Sequence, residues 1–315
     1  MKIAVVGAGA MGSLFGGRLA EAGEDVWLID VWKEHVAAIQ ANGLGFSEQG
    51  RTRQIPVNAT TSPADAGAVD LVVVFVKHNE TNDAIRQAAP LIAGHTVVLS
   101  LQNGIGNIDI IRVVVPAEQV VMGLTTLTSI VRGPGRIEAN FRGRGETYVW
   151  PVSGTVTDSL DRAVAAMSRA GLHTEISPDV EFRIWRKLLI NTSLTALSAA
   201  VPLRVRDLLG HPSARELIEA TTREVVEVAQ KKGIPLSLED GMDYLYRVAE
   251  EARDHIGSMT IDITSGRKTE IEAINGAVVR EGERVGIPTP ANRFVYNIIR
   301  LIEDTYDVRV TGGTR

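Results

Sequence analysis

The sequence predicts an α/β fold in which a doubly wound parallel sheet is followed by an all-helical C-terminal domain. Two observations lead to this prediction. Up to Ser177, apolar strand patterns alternate with helical patterns, which is typical of parallel βαβ units. Beyond Ser177 the strand patterns stop, and long helical patterns follow that are interrupted by glycine and proline. We therefore expect two domains in the 315-residue chain, 1–177 and 178–315, with a small substrate bound in an interdomain cleft.

The chain opens with a strand, a glycine-rich turn, a helix and a second strand that ends on an acid. The first strand is 3–6, the helix is 13–22 and the second strand, 26–29, ends at Asp30. A first glycine permits a tight turn, a second lets a pyrophosphate approach the helix N-terminus, and a third allows close packing of helix on strand. This order predicts a Rossmann-like dinucleotide site formed by Gly7, Ala8, Gly9, Ala10, Met11 and Gly12.

Asp30 bears on the choice of cofactor. A carboxylate at the end of the second strand accepts hydrogen bonds from both ribose hydroxyls of NAD and repels the 2′-phosphate of NADP. Lys33, one turn later, would partly offset that repulsion, and Asp30 has the alternative role of capping the next helix. The position favours NADH without excluding NADPH.

The remaining elements follow in order along the chain. The first domain continues with a helix at 33–42, weak strands within 43–62, a buried strand at 71–76, a helix at 81–91, strands at 96–101, 120–128, 135–140 and 147–152, a helix at 159–170 and a strand at 174–176. The second domain has helical patterns at 180–200, 214–232, 238–256, 268–285 and 292–305.

Polar residues just beyond the strand ends are candidates for the site, because ligands of open parallel sheets bind outside the carboxyl ends of the strands. Lys77 follows one apolar strand, and Asn103 follows the next. We expect both to face the cofactor, although a solvated lysine and an Asn-Gly turn are the structural alternatives. His78 has no evident partner in the sequence and is interpreted as structural.

Two polar patterns stand out in the helical domain. Lys187, Asn191 and Thr195 are spaced i, i+4 and i+8, so they share one face of a helix that is otherwise rich in Ile, Leu and Ala. That stripe is either a solvent face or a functional one, and Asn and Thr are poor choices for a plain solvated face. Ser258 and Asp262 are spaced i, i+4, and Glu270 is expected in the first turn of the next helix, where the helix dipole alone favours an acid.

Composition excludes several other classes of protein. The net charge of −5 and the absence of a basic run argue against nucleic acid as a partner. There are no cysteines, so disulfides and cysteine-ligated metals are excluded, and no clustered His/Asp/Glu ligand set suggests another metal site. No apolar run is long enough to span a membrane, and the N-terminus reads as a buried strand, so we expect a cytoplasmic protein.

Taken together, GAGAMG, VKHNET, LQNGIG, WRKLLINT and SMTIDITSGRKTEIEAINGAVV resemble the ketopantoate reductase family over residues 1–300. The resemblance implies NAD(P)H-dependent reduction of 2-dehydropantoate to D-pantoate in pantothenate biosynthesis. It implies that Lys187 is the catalytic lysine and Glu270 the glutamate that orients the substrate. Residues implied to line the nicotinamide end are Lys77 and Asn103; those implied on the substrate side are Asn103, Asn191, Thr195, Ser258 and Asp262. A homodimer through the helical domain is also expected.

The chain departs from the family pattern at three points that bear on substrate and cofactor. The loop at 200–206 lacks an asparagine that many members carry. Thr195 stands where a second asparagine is usual, and Asp30 is acidic where NADPH use favours a basic residue. An NADH-dependent D-2-hydroxyacid dehydrogenase of the same family, of the D-mandelate type, is therefore the alternative. A third hypothesis is a non-catalytic dinucleotide-sensing protein.

Overall fold

The computed structural model describes residues 1–140, 145–254 and 256–308 of the chain. These residues form two compact units, one of Met1–Gln102 with Asn107–Val180 and the other of Asn103–Gly106 with the chain from Glu181 onward. The sequence-based boundary at residue 177 stays a prediction. Residue 255 of the predicted helix 238–256, and residues 309–315 of the predicted second domain, lie outside the described residues.

The first unit contains the strands and a smaller number of helices. In chain order its elements are β1 (Lys2–Val6), α1 (Ala10–Glu21), β2 (Asp25–Ile29), α2 (Lys33–Asn42), β3 (Leu44–Glu48), β4 (Arg51–Ile55), β5 (Asn58–Thr60), β6 (Val69–Val74), α3 (Thr81–Gln87), β7 (Ile92–Ser100), α4 (Asn107–Ile111), β8 (Val120–Thr125), β9 (Ser129–Gly133), β10 (Arg136–Ala139), β11 (Thr147–Pro151), α5 (Asp158–Arg169) and β12 (Thr174–Ile176).

An eight-stranded sheet forms the centre of this unit, with strand order β12-β11-β8-β7-β6-β1-β2-β5. All of its neighbouring strands run parallel except β8 and β11, which pair antiparallel. The order reverses at β1, with β2 on one side and β6 on the other. The predicted doubly wound α/β architecture is confirmed.

Successive apolar side chains of the central strands point to opposite faces of the sheet, so each face has its own apolar core. Ile3 and Val5 belong to one apolar cluster, with Leu14 and Phe15 of α1 and with residues of α5. The alternate residues of the same strands join a second cluster with α3 and α4; they include Ala4, Val6, Val72 and Val74. Because successive side chains of a strand point to opposite faces, a strand buried on both faces must be apolar throughout.

A second, four-stranded sheet has the order β4-β3-β10-β9 and packs against α1. The sequence predicts strands here without assigning them to a separate sheet. Two glycines of α1 permit the close approach, since an added Cβ at Gly16 would lie 2.3 Å from Leu28 and one at Gly17 would lie 2.9 Å from Leu44. α1 is thereby held between the two sheets, with its N-terminus following β1.

All regular structure of the second unit is helical within the described residues, as predicted. Its elements are α6 (Val180–Ile190, which starts at the last residue of the first unit), a π-helical turn (Asn191–Thr195), α7 (Ala196–Ala200), α8 (Val205–Gly210), α9 (Pro212–Lys231), α10 (Leu238–Glu251), α11 (Ser258–Thr264), α12 (Asn275–Val285) and α13 (Pro290–Asp304). Its own apolar core includes Trp185, Ile218 and Ile299, and the partly buried Ile105 packs against it.

Candidate active site

The glycine-rich turn between β1 and α1 has the geometry that its sequence predicts. Gly7 has a φ of +94° and donates its N–H to the Ile29 carbonyl at 2.8 Å. A Cβ at Gly7 would lie 2.6 Å from the Val76 nitrogen, and one at Gly12 would lie 1.9 Å from the Gly7 carbonyl oxygen. α1 begins at Ala10, three residues earlier than the sequence indicates, so the second half of the motif is the first helical turn.

The turn fits the pyrophosphate of a dinucleotide. Gly9 caps α1 without a side-chain hydrogen bond, and a Cβ built on Gly9 would point into open space. A glycine in that position leaves room for a phosphate against the first N–H groups of the helix, where the helix dipole favours an anion.

Sequence reasoning missed a buried pair that supports this turn. Ser13 Oγ donates a hydrogen bond to the Ala8 carbonyl at 2.6 Å, and Nε2 of the fully buried His35 lies 3.3 Å from Ser13 Oγ. Gly135 donates its N–H to Nδ1 of His35 at 3.1 Å, so Nε2 carries the proton of the neutral ring and donates to Ser13. Burial lowers the pKa of His35, which the Asp30 carboxylate opposes. No local pattern in the sequence identifies a histidine inside α2 as a partner of this turn.

Asp30 directly follows β2 and is partly buried. One of its carboxylate oxygens, Oδ1, accepts the Trp32 N–H at 2.9 Å, so Asp30 forms a local turn ahead of α2. This is the capping alternative considered for the sequence, although the helix itself starts at Lys33 with Trp32 as its N-cap. The second carboxylate oxygen, Oδ2, is not engaged in that turn, so the local role is compatible with ribose recognition.

Lys77 and His78 lie in the segment after β6. Lys77 is partly buried, and its carbonyl accepts hydrogen bonds from the Glu80 N–H and the Thr81 hydroxyl. His78, for which the sequence suggests no partner, pairs through Nδ1 with Asn107 Oδ1 at 2.7 Å. The buried Gln102 donates to the Val76 carbonyl and to Thr81, both at 2.7 Å, which ties the end of β7 to the segment carrying Lys77.

Three of the predicted residues come together in the helical unit. Lys187 Nζ donates to Asn103 Oδ1 at 2.9 Å, and Asn103 Nδ2 donates to Glu270 Oε2 at 3.0 Å. An ammonium only donates and a carboxylate only accepts, so these two neighbours determine the orientation of the Asn103 amide. Asn103 therefore bridges a cation and an anion, and we call these three residues the Lys187–Asn103–Glu270 cluster.

The environment of Lys187 changes its acidity. Burial lowers the pKa of the Lys187 ammonium from its usual value to about 8, and the charge of Glu270 opposes part of that change. A lysine with a pKa near 8 is protonated at neutral pH, yet it gives up its proton far more readily than an exposed lysine does.

Asn191 and Thr195 begin and end the π-helical turn, so the expected i, i+4, i+8 helix is not regular beyond Ile190. Both residues are partly buried, as is Lys187, whereas Thr192, Ser193 and Leu194 between them are buried in the core. The wider turn thus keeps the ends of the polar stripe out of the core. Such insertions in α-helices occur frequently at functional sites.

The expected position of Glu270 in a helical first turn is wrong. α12 begins at Asn275, and Glu270 lies in the turn that precedes it. The Ala273 carbonyl in that turn accepts the Ile105 N–H at 2.9 Å, and the backbone at Ile274 leaves the helical region, with φ of −103° and ψ of −100°. The hydrogen bond to a distant segment replaces one that a continuous helix would have made.

Ser258 and Asp262 both lie on α11, as their spacing predicts. Ser258 is the first residue of that helix and is exposed. Asp262 Oδ1 accepts a hydrogen bond from Arg267 Nε at 3.0 Å, which folds the chain after the helix back onto it. The predicted role of Ser258 and Asp262 in substrate binding stays a prediction.

The described residues contain neither a metal site nor a membrane-spanning helix. Within 1–140, 145–254 and 256–308, no group of three or more His, Asp or Glu side chains is arranged to hold a metal ion. No helix of the described residues has the length and apolar character needed to cross a membrane.

Comparisons with known proteins identify the family of the chain. Residues 3–154 match the family model "Ketopantoate reductase PanE/ApbA", and residues 179–303 match its C-terminal counterpart. The 2-dehydropantoate 2-reductase of Archaeoglobus fulgidus is 31% identical over 303 residues, which are 96% of this chain and 98% of that protein. The enzyme of the same name from Streptococcus pyogenes serotype M18 is 29% identical over 311 residues, or 98% of this chain and 100% of that protein.

Two solved structures are similar over almost the whole chain. A D-mandelate dehydrogenase in a ternary complex with NADH and anilino(oxo)acetate is 30% identical, with a TM-score of 0.92 and coverage of 98% of this chain and 100% of that chain. A PanE/ApbA family ketopantoate reductase from Ralstonia eutropha JMP134 is 34% identical, with a TM-score of 0.89 and coverage of 97% and 99%.

Proposed function

Because the chain belongs to the ketopantoate reductase family, we propose that it transfers a hydride from a reduced nicotinamide dinucleotide to the 2-keto group of 2-dehydropantoate, giving D-pantoate. The observation that carries this proposal is the Lys187–Asn103–Glu270 cluster, in which a lysine of lowered pKa is hydrogen-bonded through an amide to a carboxylate. The presence of that cluster in a chain with a dinucleotide-type glycine turn favours catalysis over cofactor sensing alone.

The cluster suits reduction of a keto acid. When bound, the reduced nicotinamide supplies the hydride, and its addition to a carbonyl carbon leaves an alkoxide on the former keto oxygen. The Lys187 ammonium neutralises that charge and delivers the proton that completes the alcohol. Asn103 holds Lys187 in place, and Glu270 accepts a hydrogen bond from the 2-hydroxyl that the reduction forms. Asn191, Thr195 and Asp262 shape the substrate site, while Ser258 and the N–H groups beginning α11 hold the substrate carboxylate.

The first unit supplies most of the residues that hold the cofactor, and Asn103 of the second unit is the exception. The N–H groups at the start of α1 receive the pyrophosphate, with Gly7, Gly9 and Gly12 leaving the space it needs. Lys77 and Asn103 serve the nicotinamide end. Asp30 accepts hydrogen bonds from the ribose hydroxyls through the carboxylate oxygen that does not bind Trp32, so NADH is favoured over NADPH.

The cofactor preference is tested by measuring dissociation constants for NADH and NADPH by ligand fluorescence. The unmodified protein should bind NADH more tightly, and Asp30→Ala should shift the preference toward NADPH because the repulsion of the 2′-phosphate is removed. Asp25→Ala, at the opposite end of the same strand, serves as the matched control. Much tighter binding of NADPH by the unmodified protein would contradict this role of Asp30.

A second candidate is reduction of another 2-keto acid with NADH, by an enzyme of the D-2-hydroxyacid dehydrogenase type. Two observations favour it specifically, namely Thr195 in place of the usual asparagine and the similarity to a D-mandelate dehydrogenase bound to NADH. The chemistry at the Lys187–Asn103–Glu270 cluster is the same for both candidates. They differ only in the substrate side chain that the pocket accepts.

A turnover panel distinguishes the candidates. 2-Dehydropantoate, benzoylformate and a branched 2-keto acid are each assayed with NADH and with NADPH, following cofactor oxidation. The highest kcat/KM on 2-dehydropantoate supports the first proposal, and the highest on benzoylformate supports the second. Tight dinucleotide binding without turnover of any 2-keto acid would leave only the sensing hypothesis.

We also propose that the protein is a homodimer through its helical unit. α13 exposes 61% of Phe294 and 59% of Leu301, which are seven residues apart and so share one helix face. Light scattering after size exclusion should give twice the mass of the chain, and Phe294→Glu with Leu301→Glu should halve it. A monomer at micromolar concentration would contradict the proposal.

A further inference from the structure

The π-helical turn after α6 is held by a side chain from another helix. The carbonyl of Thr192, the second residue of the turn, accepts a hydrogen bond from Asn275 Nδ2 at 2.9 Å. Thr192 and Asn275 are both fully buried. Because an inserted residue disturbs the regular hydrogen bonds of a helix, a buried carbonyl there needs another donor, and Asn275 provides it.

The orientation of the Asn275 amide is determined by two acceptors. Nδ2 donates both to the Thr192 carbonyl and to Asn292 Oδ1, the latter at 3.0 Å. Turning the amide over would place Oδ1 against both oxygens. In the observed orientation Oδ1 is buried and accepts no hydrogen bond from the described residues. A buried acceptor without a partner is costly, so the two donated hydrogen bonds hold Asn275 in an orientation that is unfavourable for its own oxygen.

Asn292 is itself held in place by a buried carboxylate. Asn292 Nδ2 donates to Glu224 Oε2 at 2.8 Å and to the Thr221 carbonyl at 3.1 Å. Glu224 also accepts the backbone N–H groups of Ala291 and Asn292, at 2.7 and 2.9 Å, in the first turn of α13. The acceptor that orients Asn275 is therefore itself fixed by α9 and α13.

Asn275 also continues the turn that carries Glu270. It is the first residue of α12, and its neighbours Ile274 and Gly276 donate their N–H groups to the Glu270 and Ile271 carbonyls at 3.1 and 2.9 Å. One side chain thus joins the segment with Glu270 to the π-turn that starts at Asn191, four residues after Lys187.

We propose that Asn275 is a positioning residue that sets the π-turn, and with it Asn191 and Thr195, relative to Glu270 for binding of the keto acid. The inference rests on the proposed function, since it assigns the π-turn to the substrate side of that reaction. Asn275 does not touch the reacting atoms and acts through the Thr192 carbonyl.

The test compares Asn275→Ala with Thr222→Val. Thr222 on α9 provides a matched control, because its hydroxyl is the other buried oxygen without a partner in the described residues and it makes no hydrogen bond to the π-turn. The assays measure kcat and KM for the best keto acid, KM for NADH, and hydrogen exchange of peptides covering residues 191–200, well below the melting temperature of each variant.

For Asn275→Ala we expect kcat/KM for the keto acid to fall about 10- to 100-fold, the size of effect that displaced binding groups produce. KM for NADH should change less than about twofold, because the glycine turn lies in the other unit, and the 191–200 peptides should exchange faster. Thr222→Val should match the unmodified protein in all three measurements. The inference would be overturned if the two variants had equal kcat/KM for the keto acid. It would also be overturned if Asn275→Ala raised KM for NADH by as large a factor as it lowered kcat/KM for the keto acid.

Asn275→Asp provides a second variant of nearly the same shape should the alanine variant not fold. Its ionised carboxylate would face two oxygens, whereas its protonated form donates one hydrogen bond. The loss of keto-acid kcat/KM in this variant, relative to the unmodified protein, should therefore become smaller as the pH is lowered from 8 to 6. A loss that does not depend on pH would count against the inference. Failure of the proposed function itself is recognised separately, as an unmodified protein that turns over no 2-keto acid.

Discussion

At the scale of single residues, Asn103 gives the Lys187–Asn103–Glu270 cluster its arrangement. Its amide accepts from Lys187 on one side and donates to Glu270 on the other, so the cation and the carboxylate are both tied to one rigid planar group. An aspartate at this position could not donate to Glu270 unless it were protonated, and an alanine would leave both charges without their bridge. Asn103 therefore orders the two proposed catalytic side chains besides any contact it makes to a ligand.

Replacement of Lys187 tests the proposed acid directly. Lys187→Ala removes both the charge that stabilises the alkoxide and the proton that the product needs, so kcat should fall about 10²- to 10⁴-fold. The dissociation constant of NADH, measured by fluorescence, should stay within a factor of two. Lys231→Ala, at an exposed position at the end of α9, is the control and should retain full activity. A folded Lys187→Ala variant with near-normal kcat would refute the mechanism.

The lowered pKa of Lys187 predicts the pH profile. Lys187 carries the proton needed for reduction below a pKa of about 8 and loses it above that value. The kcat/KM for keto-acid reduction should therefore be constant at neutral pH and decline tenfold per pH unit well above 8. The reverse reaction needs the unprotonated amine, so its rate should rise with pH and level off above 8. A reduction rate that stays flat to pH 10 would show that Lys187 is not the acid.

At the scale of elements, the short segment Asn103–Gly106 is shaped by its contact with the turn before α12. Gly104 has a φ of +80°, and a Cβ added there would lie 2.1 Å from the Ala273 carbonyl oxygen. The next residue, Ile105, donates its N–H to that same carbonyl at 2.9 Å. Only a glycine permits this close approach, and the approach places Asn103 within hydrogen-bond distance of Glu270.

Gly104→Ala should therefore displace Asn103 and lower keto-acid kcat/KM by more than about tenfold. Gly286→Ala is the control that has backbone strain without a clash. Gly286 has a similar φ of +75°, but a Cβ added there would meet no other atom, whereas one at Gly104 would clash with Ala273. Both variants should lose stability in thermal melts, but only Gly104→Ala should lose activity measured well below melting. Equal activity in the two variants would show that the approach to Ala273 does not position Asn103.

The support of the glycine turn by His35 predicts a dependence of stability on pH. Burial lowers the pKa of His35 below its usual value near 6.5, so the unfolded chain binds more protons than the folded one just below that pH. The stability that neutral His35 contributes is complete above pH 6.5 and is lost as the pH falls toward the folded-state pKa. Melting temperatures should decrease over this window, and His35→Gln should reduce the decrease. An unchanged profile in His35→Gln would contradict the assignment.

At the scale of the whole molecule, the residues proposed for the two ligands, apart from Asn103, belong to different units with separate cores. The glycine turn, Asp30 and Lys77 belong to the unit built on the parallel sheet, whereas the Lys187–Asn103–Glu270 cluster belongs to the helical unit. The segment Asn103–Gly106 follows β7 in the chain, yet it belongs to the helical unit. The proposed function therefore assigns most of the cofactor binding to the first unit and the substrate binding to the helical unit, and the chain passes from one unit to the other more than once.

This division predicts where each ligand protects the backbone from hydrogen exchange. Saturating NADH should slow exchange most in peptides covering residues 7–13, and oxamate, an unreactive mimic of a 2-keto acid, should slow it most in peptides covering 187–195 and 270–275. Peptides from α10, which carries none of the proposed site residues, serve as the internal reference. Protection of the 187–195 peptides by NADH without any at 7–13 would reverse the assignment of the two tasks.

Local features of the chain were predictable from the sequence because they depend on near neighbours. The bounds of α2 and β12 match the predicted ranges, and the glycine turn is identified by steric requirements that hold in any fold. The all-helical character of the second unit follows from the 3.6-residue period of its apolar residues. The same local information identified Lys187 and Asn191 as polar residues on one side of an apolar helix, but not the π-turn between Asn191 and Thr195.

What the sequence by itself determined was therefore the fold class, the dinucleotide turn and a short set of candidate residues. Tertiary structure alone decided that Asn103 joins Lys187, 84 residues away, to Glu270, 167 residues away. It also decided that Glu270 lies in a turn, since Ile105 binds the Ala273 carbonyl, and that Asn275 supports the π-turn. The physical reason is that helix periodicity and glycine sterics act within a few residues, whereas these hydrogen bonds join groups that only folding brings together.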